Sequence, residues 1–150
     1  MKVIKLTYPF DEIFLIKIDD VSIDKKLLAN LTKKFQPYTL IFSTPHDIEP
    51  CVIALVYTYV LEDIKYDSKI SNISLKALLY LTKSKQISDA IESSRNFNGL
   101  AIVSINKQGI IDALKEIGYE IDNIEEETYN CKNLDGLTDI TAYRLNELNL

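Results

Sequence analysis

Cysteine, histidine, glycine and proline are all scarce in this 150-residue chain, and tryptophan is absent. One histidine (His46) and two cysteines (Cys51 and Cys131) are too few and too scattered for a zinc site, which needs several ligands at short spacing. The glycines are Gly99, Gly109, Gly118 and Gly136, so neither GxGxxG nor GxxxxGK[ST] occurs and no backbone cradle for a nucleotide phosphate is written here. Four glycines and four prolines are also too few for a linker-rich or disordered chain. The two cysteines lie far apart and form no CxxC, which reads as two reduced thiols in a cytosolic protein. No apolar run approaches the roughly 18–20 residues needed to span a bilayer. The first residues, MKVIKLTYPFDEIF, lack the apolar core and small-residue cleavage site of a signal peptide. The expected location is the cytoplasm, with no membrane partner.

What is present suits one domain over residues 1–150. Hydrophobic residues make up 47% and charged residues 26%, ordinary globular values. A chain of this length buries roughly 70% of its unfolded surface and needs neither disulfide nor metal to be stable. The net charge of −5 argues against a general nucleic-acid binder, because phosphate affinity follows the count of lysines and arginines. The charge is unevenly spread. From Lys65 to Arg95 six bases face three acids (+3), and from Asp112 to Leu150 ten acids face three bases (−7). A basic middle therefore precedes an acidic end.

Glu12–Asp19 (EIFLIKID) reads as a strand. Ser22 is placed to cap a helix running to about Phe35, with Ile23, Leu27, Leu31 and Phe35 on one face. After Pro37, Tyr38–Ser43 (YTLIFS) reads as a second strand. Thr44 and Pro45 look like the cap and first residue of a helix reaching about Ile64. Ser74 is placed to cap a short helix, Leu75–Leu81. After a turn over Thr82–Lys85, a second short helix spans about Gln86–Ser94. Leu100–Ile105 (LAIVSI) suits a strand buried on both faces. Gly109–Ile117 is helical and stops at Gly118. Tyr119–Asn130 is open to either assignment. Leu134–Leu148 predicts a last helix resting on Leu134, Leu137, Thr141, Leu145 and Leu148. The class is α/β (α+β): a single domain, with a mixed β-sheet packed against several helices.

Catalytic groups are thinly provided. Nucleophilic catalysis usually needs a base, and the one histidine stands in Thr44-Pro45-His46-Asp47, expected at a helix N-terminus, where it more often packs than reacts. Asp19-Asp20 and Glu125-Glu126-Glu127 have the chemistry for Mg²⁺. Adjacent strand residues point to opposite faces, however, and such runs are usually solvated edges. No catalytic residue, metal or cofactor is expected. The alternative is a small cytosolic enzyme or ligand-binding domain using His46 with Asp19 and Asp20.

The segment with a signal is Leu75–Leu81 (LKALLYL), apolar on nearly every side with Lys76 its single charge. Such a helix must be covered on more than one side, by the core or by a partner. The run from Asn72 through Ile73-Ser74-Leu75 and Leu78-Leu79-Tyr80 to Gln86-Ile87 and Asp89-Ala90-Ile91 resembles the signature NIS-x-L-x-x-E-I-L-L-Y-x-S-G-x-R-Q-I-x-x-A-I. That signature belongs to the small kinase-binding regulatory subunits of the KEOPS complex, the family of the animal PRPK-binding protein TPRKB. The region around His46, the helix bearing Ala54, the strand Leu100–Ile105 and the helix Ala113-Leu114…Gly118 follow in the family's order. The length fits an archaeal-type member. Lys76 stands where the family has glutamate, its turn glycine is replaced around Lys83-Ser84, and Lys85 replaces its arginine.

The resemblance implies a non-catalytic subunit of the complex that makes threonylcarbamoyladenosine in tRNA. Its implied partners are the small atypical protein kinase/ATPase subunit, which it activates, the 3′ CCA end of tRNA, and the rest of KEOPS indirectly. Leu75, Leu78, Leu79 and Tyr80 are the candidates for the kinase, since interface cores are rich in leucine and aromatics. Lys83, Lys85, Gln86 and Arg95 are the candidates for tRNA, through phosphate contacts beside a stacking ring. A plain oligomerisation module using Leu75–Leu81 is a third reading.

Overall fold

The computed structural model describes residues 2–7, 12–21, 24–35, 38–66, 72–121, 124–131 and 135–148. Among these, five strands and six helices follow in the order β1 (Lys2–Leu6), β2 (Ile13–Ile18), α1 (Lys25–Phe35), β3 (Thr39–Thr44), α2 (Pro50–Tyr66), α3 (Ile73–Thr82), α4 (Ile87–Ser93), β4 (Gly99–Ser104), α5 (Lys107–Ile117), β5 (Glu125–Tyr129) and α6 (Asp135–Glu147). The strands form one mixed sheet in the order β3-β4-β2-β1-β5. Its pairs are antiparallel except β1 with β5, which run parallel. The mixed α/β class expected from the sequence is the one found. Among the described residues no helix is long and apolar enough to cross a membrane.

Helices cover both faces of the sheet, so the central strands β2 and β4 are apolar over most of their length, with Lys17 and Ser104 near their ends. Alternation along each strand sends Ile13, Leu15, Leu40, Phe42, Ala101 and Val103 to one core with α2, α3 and α6. It sends Phe14, Ile16, Ile41, Leu100 and Ile102 to a second core with α1 and α5. β4 lies between β2 and β3 and is buried along its whole length.

The two sheet edges are closed by different means. β3 is flanked by α3, where Ser74 Oγ donates to the Ile41 carbonyl at 2.9 Å and Thr32 Oγ1 of α1 lies 2.7 Å from Ser74 Oγ. β5 is guarded by charge instead, with Glu125, Glu126 and Glu127 exposed on the outer strand. Both devices prevent pairing with another chain.

Several boundaries differ from the sequence expectations. β1 was not anticipated, being a short strand of mixed burial, and β5 is the part of Tyr119–Asn130 that the sequence left open. α2 begins at Pro50 rather than Pro45, because Thr44 is still paired with Gly99 in the sheet. The Glu49 carbonyl accepts the first helical hydrogen bonds and Pro50, with its fixed φ, occupies the first helical position. Asn72 caps α3, accepting from the Leu75 amide at 3.1 Å, and Ser74 is freed for the β3 edge. On α1 the inward face is Leu28, Leu31 and Thr32, while Leu27 is exposed. On α6 it is Leu137 and Ile140, and Leu145 and Leu148 point outward. Ser22, Ile23 and Leu134 lie outside the described residues.

The two cysteines are not reduced. Cys51, in the first turn of α2, forms a disulfide with Cys131, between β5 and α6, across 80 residues of sequence. The two segments meet on one face of the sheet, an approach that spacing in the sequence does not reveal. The reduced-thiol argument for a cytosolic location falls with this pairing.

Candidate functional site

The apolar segment singled out by the sequence becomes α3, and its position explains its composition. It lies beside the edge strand β3 and is also packed by α1, α2, α4 and α6. A helix at a sheet edge between two helical layers has little surface left for solvent. Leu78 and Tyr80, two of the kinase candidates, are accordingly buried in the chain's own core, and Leu75 and Leu79 are half-buried. The apolar side chains exposed nearby are Ile87 and Ile91, four residues apart on α4.

α3 ends in a turn that carries the basic candidates. Lys83 adopts a left-handed conformation with φ 52°. Its amide donates to the Tyr80 carbonyl, and the Ser84 amide reaches the Leu79 carbonyl at 3.1 Å, closing the helix end. Gln86 then holds an extended conformation and starts α4. Lys83 and Lys85 are exposed and line one open cleft of about 750 Å³, facing Asp139, Tyr143, Asn146 and Glu147 of α6. Lys83 also borders a second cleft of about 310 Å³ shared with Asp47, Glu49, Val52 and Ile140. Gln86 is exposed beside them. Arg95 lies past the far end of α4 and is paired with Glu92 at 2.6 Å. The structure therefore gathers Lys83, Lys85 and Gln86 at one turn and leaves Arg95 at the other end of a seven-residue helix, roughly 10 Å long at 1.5 Å per residue.

Below this turn lies a cluster that sequence reasoning missed. Arg144 of α6 reaches Asp63 at 3.0 Å, Glu62 at 2.9 Å and the Tyr80 hydroxyl at 3.1 Å, and lies over the Tyr59 ring at 4.4 Å. The Tyr80 hydroxyl donates to Asp63, and Tyr143 meets the Tyr80 ring edge-on while its hydroxyl donates to the Ser84 carbonyl. Burial, and then the bond to Asp63, push the Tyr80 pKa well above the ordinary phenol value. Burial also pushes Tyr143 up to about 12, with the charges of Glu147 and Asp63 adding to it. Burial opposes the Arg144 charge, but its bonds to Asp63 and Tyr80 outweigh that and raise its pKa. A fixed guanidinium fork is suited to this use, and Arg144 is one of only two arginines among seventeen basic residues. That scarcity was the one available signal.

The alternative site is partly assembled. His46 Nδ1 lies 3.7 Å from Asp19 Oδ1, and Lys17 bonds the same carboxylate at 3.3 Å and the His46 carbonyl. Asp20 is held by Asn98 instead. His46 precedes α2 by a turn rather than standing at its N-terminus, and its side chain is 58% exposed. His46, Asp19 and Lys17 form an ion cluster that lines neither cleft itself, although Asp47, 3.9 Å from His46 Nε2, lines the smaller one. Glu126 and Glu127 pair with Lys107 at 4.0 Å and Lys2 at 3.7 Å. Among the described residues no group of three histidine, cysteine or acidic side chains is placed to hold a metal ion. The chain matches no protein-family model and no curated protein.

Proposed function

We propose that this chain is a non-catalytic regulatory subunit of the KEOPS type, which binds and activates the small atypical kinase/ATPase and helps recruit tRNA through its 3′ CCA end. The observation that supports it is the backbone at Lys83. Counting back from Gln86-Ile87, the family's turn glycine falls at Lys83, and this lysine holds the left-handed conformation that glycine adopts most readily. The helix–turn–helix that resembles the family signature thus has, at Lys83, the backbone conformation that a turn glycine serves. At that turn Lys83 and Lys85 are exposed, as phosphate contacts require. With Leu78 and Tyr80 in the core, the apolar surface left for the kinase at this hairpin is Ile87 and Ile91, together with the uncovered parts of Leu75 and Leu79.

The test is co-purification with the cognate kinase together with a titration of tRNA. Lys83→Glu with Lys85→Glu is expected to weaken tRNA binding and flatten its dependence on salt, each lost phosphate contact lowering the slope by about 0.7–0.9. Removing the CCA end is expected to weaken binding as well. Unchanged binding after either change overturns the tRNA role. Failure of Ile87→Asp with Ile91→Asp to reduce kinase capture overturns the proposed face, and no capture by the unaltered chain overturns the reading itself.

A further inference from the structure

The disulfide stands at the root of the last helix. Cys51 is buried at the second position of α2, and Cys131 is half-buried in the connection between β5 and α6. Among the described residues α6 buries two apolar side chains, Leu137 and Ile140, and lays the half-buried Tyr143 ring against the core; polar contacts add to these. They include Tyr59 to Thr141 at 2.8 Å, Tyr143 to Ser84, and Arg144 to its carboxylates and to the Tyr80 hydroxyl. β5, which leads into it, is an exposed edge strand. A unit with so few buried apolar contacts belongs to the low end of local stability, where segments open without the rest unfolding.

We propose that Cys51–Cys131 is a reducible latch that keeps α6 closed over the α3–α4 turn, and that a dithiol reductant opens it. A thiolate of the reductant attacks Sγ of Cys131, the more exposed of the two residues, and the S–S bond breaks with its electron pair leaving on Sγ of Cys51. The amide-rich first turn of α2 stabilises that thiolate until it takes up a proton. The second thiol of the reductant then displaces Cys131 from the mixed disulfide. The protein gains two electrons and two protons, and the reductant becomes a disulfide. Opening carries Asp139 and Glu147 away from Lys83 and Lys85, which share their cleft, so the latch also sets the charge around that turn. The latch stands whether or not those lysines meet RNA.

Hydrogen exchange on the full chain, before and after dithiothreitol, tests this. Alkylation and mass measurement are expected to show two thiols reactive only after reduction. Amides of α6 are expected to exchange at least tenfold faster in the reduced protein, while those of β2 and β4 stay protected over the same time. Cys51→Ser with Cys131→Ser is expected to reproduce the reduced pattern without reductant; if that variant does not fold, the reductant arm decides alone. Thiols that react before reduction overturn the proposal, as does unchanged exchange in α6. Loss of protection in α6, β2 and β4 together also overturns it, since the disulfide is then a staple for the whole domain.

Discussion

Arg144 Nη2 lies 3.0 Å from Asp63 Oδ1, joining α6 to the last turn of α2 across 81 residues. The side chains are only 17% and 13% exposed, so the pair is largely out of water and its hydrogen bonds are charge-assisted. Asp63→Asn is expected to destabilise the fold by about 1–3 kcal/mol, because Arg144 and Tyr80 both lose a charged acceptor. Denaturant unfolding reads this directly. In a cycle with Arg144→Met, a coupling of at least about 1 kcal/mol is expected, and strict additivity would show that the guanidinium is held without Asp63.

Stability is expected to fall above pH 10. Burial raises the pKa of Tyr57 and Tyr80, and that of Tyr143 to about 12. A tyrosine is charged when it loses its proton, so the folded state holds these protons more tightly than the unfolded chain, whose phenols titrate near pH 10. The stabilisation is complete below pH 10 and is lost as pH rises from there through the raised values. Each tyrosine contributes a slope of up to about 1.4 kcal/mol per pH unit. Thermal melts from pH 8 to 12 check the trend, and Tyr57→Phe is expected to make it shallower.

Lys83→Gly is expected to stabilise the domain by about 0.5–1 kcal/mol, since it relieves the left-handed backbone of a residue with a Cβ. The same change removes a charge from the α3–α4 turn. A higher melting temperature with weaker tRNA binding would separate the turn's conformation from its charge.

Gly109→Ala is expected to be costly although alanine favours helices. A Cβ at Gly109 would lie 2.4 Å from Ser104 Oγ and 2.5 Å from Thr39 Oγ1, two buried hydroxyls that bond each other at 2.9 Å. Overpacking this contact is expected to cost about 1–3 kcal/mol. Calorimetry of the variant measures it, and a neutral result would mean that α5 shifts away from the sheet freely.

Much of the fold was legible because it is written locally. LAIVSI announces a doubly buried strand through an unbroken apolar run, and it forms β4 at the centre of the sheet. Asn72 and Gly118 terminate their helices by contacts within a few residues, although the sequence offers Ser74 for the cap that Asn72 supplies. The candidate site was legible only in part. Exposure of Lys83, Lys85 and Gln86 follows from their polarity, whereas burial of Leu78 and Tyr80 depends on five other elements closing around α3. Periodicity identifies a helix that must be covered, but it does not say by what.

By itself, then, the sequence determined a single α/β domain, its central strands and the basic turn after Tyr80, because propensity, capping and apolar period act over a few residues. Tertiary structure alone decided that Cys51 meets Cys131, that Arg144 reaches Asp63, and that α3 is covered by a sheet edge and four helices. Those are contacts between segments far apart in the chain, and they form only where packing of the whole sheet brings the partners within bonding distance.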